Sequence, residues 1–184
     1  RVLESARDVG HQAARLGQRQ GTLGEVRAQR VAGDTFHHDE DAAVEGVELV
    51  LQADGGNIVA GRSSFGANND FALARYNADG TLDTTFDGYA TMPGYPGNGI
   101  VTFDYTNSID VGRSVKVQPD GKILVAGQSF TGDNHWDFAL VRYSADGSLD
   151  TAFDGDGKVT TNISEFDSAN SIALQPDGKI MVAG

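Results

Sequence analysis

Asp150, Asp154 and Asp156 stand in the glycine-rich stretch SLDTAFDGDGK at 148–158, and carboxylates so closely spaced are the raw material of a calcium loop. Hard cations prefer such oxygen donors. An EF-hand-like run would need further oxygens in register and a terminal bidentate glutamate, and Lys158 falls where another ligand would be wanted. The competing role for these aspartates is to bond the backbone of a turn. A similar stretch earlier in the chain keeps Asp83 and Asp87, with Asn98 far downstream in place of the third carboxylate.

Other side chains could bind rather than coordinate. His135 and Trp136, the only tryptophan, could stack on a sugar or on a partner's side chain, and Tyr89 and Tyr95 are further aromatic candidates. A tryptophan folded over the edge of its own sheet is the alternative. Arg75 and Arg142, each followed by tyrosine, recur in equivalent places and could hold an anion. Recurrence favours a framework role, such as pairing with Asp70 or Asp137, or with a turn aspartate of a neighbouring unit. His37 to Asp41 is a run of possible metal ligands or a solvated acidic loop. The chain has no G-x-S-x-G elbow, and no Gly-rich loop of nucleotide-binding spacing opens a helix.

The elements that would position these residues come from a tandem repeat. DFALARYNADGTLDTTFDG at 70–88 returns as DFALVRYSADGSLDTAFDG at 137–155. LQADGGNIVAG at 51–61, VQPDGKILVAG at 117–127 and LQPDGKIMVAG at 174–184 recur around it. In the second copy Ser114 to Val117 alternates polar and apolar, as a half-buried strand does, and Gln118-Pro119-Asp120-Gly121 is a turn. Lys122 to Gly127 is apolar at successive positions, which predicts a central strand covered on both faces. Asp137 to Tyr143 predicts a third strand, with Phe138 and Leu140 on one face and Ala139, Val141 and Tyr143 on the other. Lys158 to Ile163 predicts a fourth, more polar strand at a sheet edge.

Four strands per unit and a spacing of 57 residues between Gln118 and Gln175 suit a propeller blade, since propeller repeats run to about 40–50 residues and leucine-rich units to about 20–29. Gln52 to Gln118 spans 66 residues, the excess lying mainly in an insertion at 89–97 that should form a surface loop. We therefore expect an all-β fold of four-stranded antiparallel blades forming part of a propeller. The expected organisation is a leader at 1–46 of short helices or disorder, a first repeat at 47–113, a second at 114–173 and the start of a third at 174–184. A chain that opens on Arg1 and stops inside a repeat reads as a piece of a longer polypeptide, whose adjoining blades would be its partners.

Composition bounds the function. A net charge of −12 argues against a nucleic-acid partner, which needs a basic face. No apolar run has the length that spans a bilayer, and the absence of cysteine excludes disulfides and thiolate metal sites.

The motifs QPDGKILVAG, DFALVRYSADGSLDTAFDGDGKV and DSANSIALQPDGKIMVAG resemble the delta-60 repeat family over about residues 47 to 184. The first copy departs from that pattern at Ala53, at Gly56 and through its insertion. The resemblance implies a bacterial, secreted or cell-surface protein with propeller-like blades and no defined enzymatic activity. The expectation is a non-catalytic binding or structural module that meets a protein or carbohydrate ligand through variable loops, at Arg62 to Asn69, Gln128 to Trp136 and the insertion. Two rivals stand beside it. One is a fragment of a propeller hydrolase or lyase with an incomplete channel site; the other is a calcium-dependent adhesion module.

Overall fold

The computed structural model describes residues 29–30, 35–38, 42–63, 69–86, 98–104, 109–132 and 135–184, the side chains being described from Glu48 onward. It is all-β, with no helix among the described residues. The strands are β1 (Gln29–Arg30), β2 (Thr35–His38), β3 (Ala42–Leu51), β4 (Asn57–Ser63), β5 (Asp70–Tyr76), β6 (Ile100–Phe103), β7 (Asp110–Val117), β8 (Ile123–Gly132), β9 (His135–Tyr143), β10 (Lys158–Thr161), β11 (Ser171–Leu174) and β12 (Ile180–Ala183).

Three antiparallel sheets follow one another along the chain. The second is a four-stranded meander, β10-β9-β8-β7. The first repeats it as β3-β4-β5-β6 but is six-stranded, because β1 and β2 both pair with β3. The third is the pair β11-β12. The described parts of residues 1–46 form β1, β2 and the start of β3. The repeat boundaries after 46, 113 and 173 fall inside β3, β7 and β11, because the P-D-G turn that marks the repeat in sequence comes after the strand that opens each sheet.

Each opening strand carries a device of its own. In β7 the register shifts between Gly112 and Ser114, a β-bulge, and β3 shifts likewise between Gly46 and Glu48. The bulge drives the Val111 carbonyl toward β8 exactly opposite Gly127, where an added Cβ would run into that oxygen. The closing glycine of the V-A-G motif is therefore a clearance.

The sheets stack face to face. Ile123 and Val125 of β8 join Ala139, Val141 and Tyr143 of β9 and Val115 of β7 in one core with Ile58, Ala60, Phe71, Leu73, Phe86 and Val101 of the first sheet. Leu124 and Ala126, on the opposite face of β8, pack with Ala169 and Ile172 at the third sheet. Lys122 to Gly127 is thus covered on both faces, and β9 divides its side chains as its alternation predicts, Phe138 and Leu140 lying on the Leu124 side. Polar bonds repeat across the junctions too. Val115 N donates to Glu48 Oε2 at 2.6 Å, and 57 residues on, Ile172 N donates to Ser114 Oγ at 3.2 Å. Glu48 and Ser114 hold equivalent positions, so each opening strand satisfies a backbone donor of the next.

Candidate functional site

The recurring arginines belong to the framework. Arg75 Nε donates to Asp83 Oδ2 at 2.7 Å and its guanidinium lies 4.7 Å from the Phe86 ring centroid; Arg142 does the same with Asp150 at 2.8 Å and Phe153 at 4.5 Å. Their carboxylate partners are the turn aspartates of their own copies, eight residues on, rather than Asp70 or Asp137. The reason is reach: Asp70 and Asp137 sit at the far end of the strand from the arginine, whereas the chain folds back after the A-D-G turn and pairs Leu82 with Tyr76 and Leu149 with Tyr143. Arg75 Nη1 also donates to Ala145 O at 2.6 Å, tying the first sheet to a turn of the second.

Asp150, Asp154 and Asp156 have separate surroundings, and only Asp150 joins the arginine framework. Asp150 takes Arg142 and, at 3.0 Å, Lys122. The Lys122 ammonium first, then a backbone bond from Ala152 and the Arg142 charge, hold its carboxyl below the usual range against the opposing cost of burial. Asp156 Oδ1 accepts from Lys158 N at 3.1 Å, the backbone-bonding role, and Asp154 occupies a left-handed φ of 51°. Among the described residues the carboxylates that converge are instead Asp70, Asp104 and Asp110, whose oxygens lie within 4.8 Å of one another. Burial, and then the neighbouring Asp104, raise the Asp70 carboxyl above its ordinary value.

The second sheet replaces that trio by Asp137, Asn162 and Asp167 in equivalent places, and the geometry changes with one amide. Asn162 Nδ2 donates to Asp137 Oδ1 at 2.8 Å and Thr131 Oγ1 to Asp137 Oδ2 at 3.0 Å. Asp167 Oδ2 accepts from Ile163 N at 2.6 Å and Ser164 N at 2.9 Å, and Oδ1 from Ser164 Oγ at 2.7 Å. The Ser164 hydroxyl and backbone bonds, with the nearby His135, hold the Asp167 carboxyl low.

His135 and Trp136 lie at this end of the sheet. Gln128 to Trp136, expected as a loop, continues the β8–β9 ladder through Phe130↔Trp136 to Gly132↔His135, with residues 133–134 outside the described set. A cross-strand aromatic pair supports the extension: the Phe130 and Trp136 rings meet edge to face, centroids 5.3 Å apart. Trp136 and His135 are both half-buried, and His135 Nδ1 is buried without a hydrogen-bond partner. Tyr89 and Tyr95 fall outside the described residues, as do residues 64–68 of the loop after β4.

Sequence reasoning missed the apolar residues that border Trp136. Phe166 forms a parallel bridge with Trp136 and is 71% exposed; Ile163 is 67% exposed, and Ile109, whose carbonyl accepts from Phe130 N at 3.0 Å, is 38% exposed. Ile109 and Phe166 share a signal: each directly precedes the aspartate, Asp110 or Asp167, at the entry to the next unit. Ile109, Phe130, Trp136 and Phe166 thus meet as an apolar rim at the end of the second sheet, with Ile163 a further exposed apolar residue three positions before Phe166. It can take the flat face of a ligand while polar groups meet its edge.

Stacked, twofold-repeated antiparallel sheets define a β-propeller-type repeat protein. Residues 52–86 and 118–153 match the family described as Domain of unknown function (DUF5122) beta-propeller, so this repeat is of β-propeller type. Each matched segment begins at the glutamine before the turn and reaches the D-T-x-F turn after the third strand, the part of the copy that builds the inter-sheet core. No curated protein matches the chain. No helix among the described residues is long and apolar enough to cross a membrane.

Proposed function

We propose that the chain is a non-catalytic binding module of a bacterial extracytoplasmic protein of the delta-60 repeat type, displayed outside the cell or on its surface, and that its ligand is a carbohydrate. The observation that carries this reading is the rim at the end of the second sheet. Side chains shared by both copies, such as Arg75 with Asp83 and Arg142 with Asp150, are consumed by the framework, whereas the rim is built where the copies differ. Exposed phenylalanine and isoleucine beside a half-buried tryptophan offer an apolar platform, and the adjoining His135, whose Nδ1 has no hydrogen-bond partner, supplies a polar atom near it. Sugars combine those two requirements: an apolar ring face and a hydroxyl circumference.

Because Trp136 is the only tryptophan, intrinsic fluorescence reads this rim directly. Titration with chitin and β-glucan oligosaccharides should give a saturable change in emission, and Phe166→Ala should weaken binding by about tenfold, the loss of one exposed stacking partner. Phe166 is exposed, so that variant keeps its core. Emission that no oligosaccharide alters would overturn the carbohydrate reading, as would unchanged affinity in Phe166→Ala.

A further inference from the structure

Three carboxylates meet where the first sheet gives way to the second. Asp70 opens β5, Asp104 follows the end of β6 and Asp110 opens β7, and their oxygens lie within 4.8 Å of one another. The ladders bring them there. Phe71 pairs with Phe103, so Asp70 and Asp104 fall side by side on the next rung, while Asp110 N donates to Asn69 O at 2.6 Å and holds the start of β7 against the start of β5. Asp110 is fully buried, Asp70 half-buried and Asp104 exposed.

Like charges gathered under partial burial call for a counter-charge, and the raised Asp70 carboxyl, a result of burial and then of Asp104, expresses that cost. The second copy meets it differently. Asn162 stands where Asp104 does, and protein donors serve the two carboxylates that remain: Asn162 Nδ2 and Thr131 Oγ1 at Asp137, and Ile163 N, Ser164 N and Ser164 Oγ at Asp167. In the first copy Asp70 Oδ1 is buried with no hydrogen-bond partner, and so is the Oγ of Ser63, a residue 0% exposed. Ser63 pairs with Asp70 in the β4–β5 ladder and shares its face of the sheet. Ser129, opposite Asp110 in the β7–β8 ladder, is buried in the same way with its Oγ unpartnered. Buried oxygens that no protein donor satisfies, beside converging carboxylates, present the lone pairs that a cation takes up.

We propose that Asp70, Asp104 and Asp110, with the Ser63 hydroxyl, form a calcium site that ties the opening strand of the second sheet to the first. The set is all oxygen, which selects a hard cation over zinc or copper. Calcium takes six to eight oxygens at about 2.3–2.6 Å in a flexible shell, so two of its ligands can stand roughly 5 Å apart. The trio fits that span. Magnesium demands a near-ideal octahedron at about 2.0–2.1 Å and parts reluctantly with its water, a poor match to carboxylates carried on separate strands of two sheets. Water reaching the ion past the exposed Asp104 completes the shell. Occupancy of this site does not depend on what the rim binds, and it involves none of Asp150, Asp154 and Asp156.

Calcium chloride titrated by calorimetry into the full chain, previously stripped with chelator, should show saturable binding, with magnesium at least about tenfold weaker. At saturation, hydrogen exchange at the Asp110 amide should slow by at least about tenfold as the ion holds β7 against the first sheet. Asp104→Asn, which copies the second repeat, should weaken calcium binding by at least about tenfold; Asp104 is exposed, so the variant keeps its core, and an unchanged circular dichroism spectrum checks that. Asp156→Asn should leave the affinity as it is. No binding, magnesium bound as tightly as calcium, an Asp110 amide that calcium leaves unchanged, or equal affinity in Asp104→Asn would each overturn the proposal. Loss of binding in Asp156→Asn would overturn it too, by placing the ion at the glycine-rich turn.

Discussion

Phe86→Ala should lower the free energy of unfolding by about 4 kcal/mol, and Phe153→Ala, its exact counterpart in the second copy, by about 2 kcal/mol. The chemistry of the two changes is identical. Both phenylalanines follow the T-x-F turn pattern or its variant, and both lie beneath an arginine, at 4.7 Å for Arg75 and 4.5 Å for Arg142. Only the covering differs. Phe86 is wholly enclosed, in one core with Val115, Val141 and Tyr143 of the second sheet, so truncation leaves a cavity whose walls belong to two sheets and relax little. Phe153 is half-buried and loses mainly a partial transfer term. Urea unfolding of the two variants, compared at constant slope, checks the difference. Equal losses would mean that the second sheet does not enclose Phe86.

Gly127→Ala should cost about 3 kcal/mol or prevent folding, while Gly155→Ala should cost no more than about 1–2 kcal/mol. At Gly127 the obstacle is backbone: the bulge at Gly112 to Ser114 puts the Val111 carbonyl oxygen where a methyl group would go, with Gly112 Cα 3.1 Å away. No rotamer change relieves it. Moving the carbonyl would break the register of β7 on β8, and with it the placement of Val115 in the inter-sheet core. Gly155 is the opposite case, with φ at 92° but nothing within 4 Å of a new Cβ, so only the left-handed backbone is penalised. Thermal melts of both variants separate a steric from a conformational requirement. Equal destabilisation would remove the bulge from the explanation of the V-A-G motif.

Local chemistry carried most of the fold in the sequence. The P-D-G turn requires a left-handed glycine, and Gly121 has φ 84°; the unbroken apolar run from Ile123 to Ala126 requires cover on both faces, and finds it in two separate cores. The bulge was not legible, because a single extra residue in β7 leaves no mark on polar–apolar alternation. The β8–β9 extension was hidden for a related reason: Gln128 to Trp136 is polar enough to resemble a loop, and only the cross-strand meeting of Phe130 with Trp136 shows why it stays paired.

The site was legible only in part. Trp136 stands out by its rarity, whereas the exposure of Phe166 and Ile109 comes from their place just before the entry to the next sheet, which composition does not mark. The convergence of Asp70, Asp104 and Asp110 joins two strands of one sheet to the opening strand of the next, a spacing that no local motif encodes. Repetition gave the right role for the arginines and the wrong partner, since which aspartate an arginine meets depends on how the chain turns back after β5 and β9.

Stacking of successive copies, each a separate antiparallel sheet, underlies the core shared by the first two sheets and the rim alike. Nuclear Overhauser spectroscopy of the full chain reads it at one contact, Gly147 against Phe86 and Val101. Cross-peaks from the Gly147 Hα protons to the Phe86 ring and the Val101 methyl groups are expected. A spectrum in which Phe86 and Val101 show contacts only with residues of their own copy, and none with Gly147, would contradict the account.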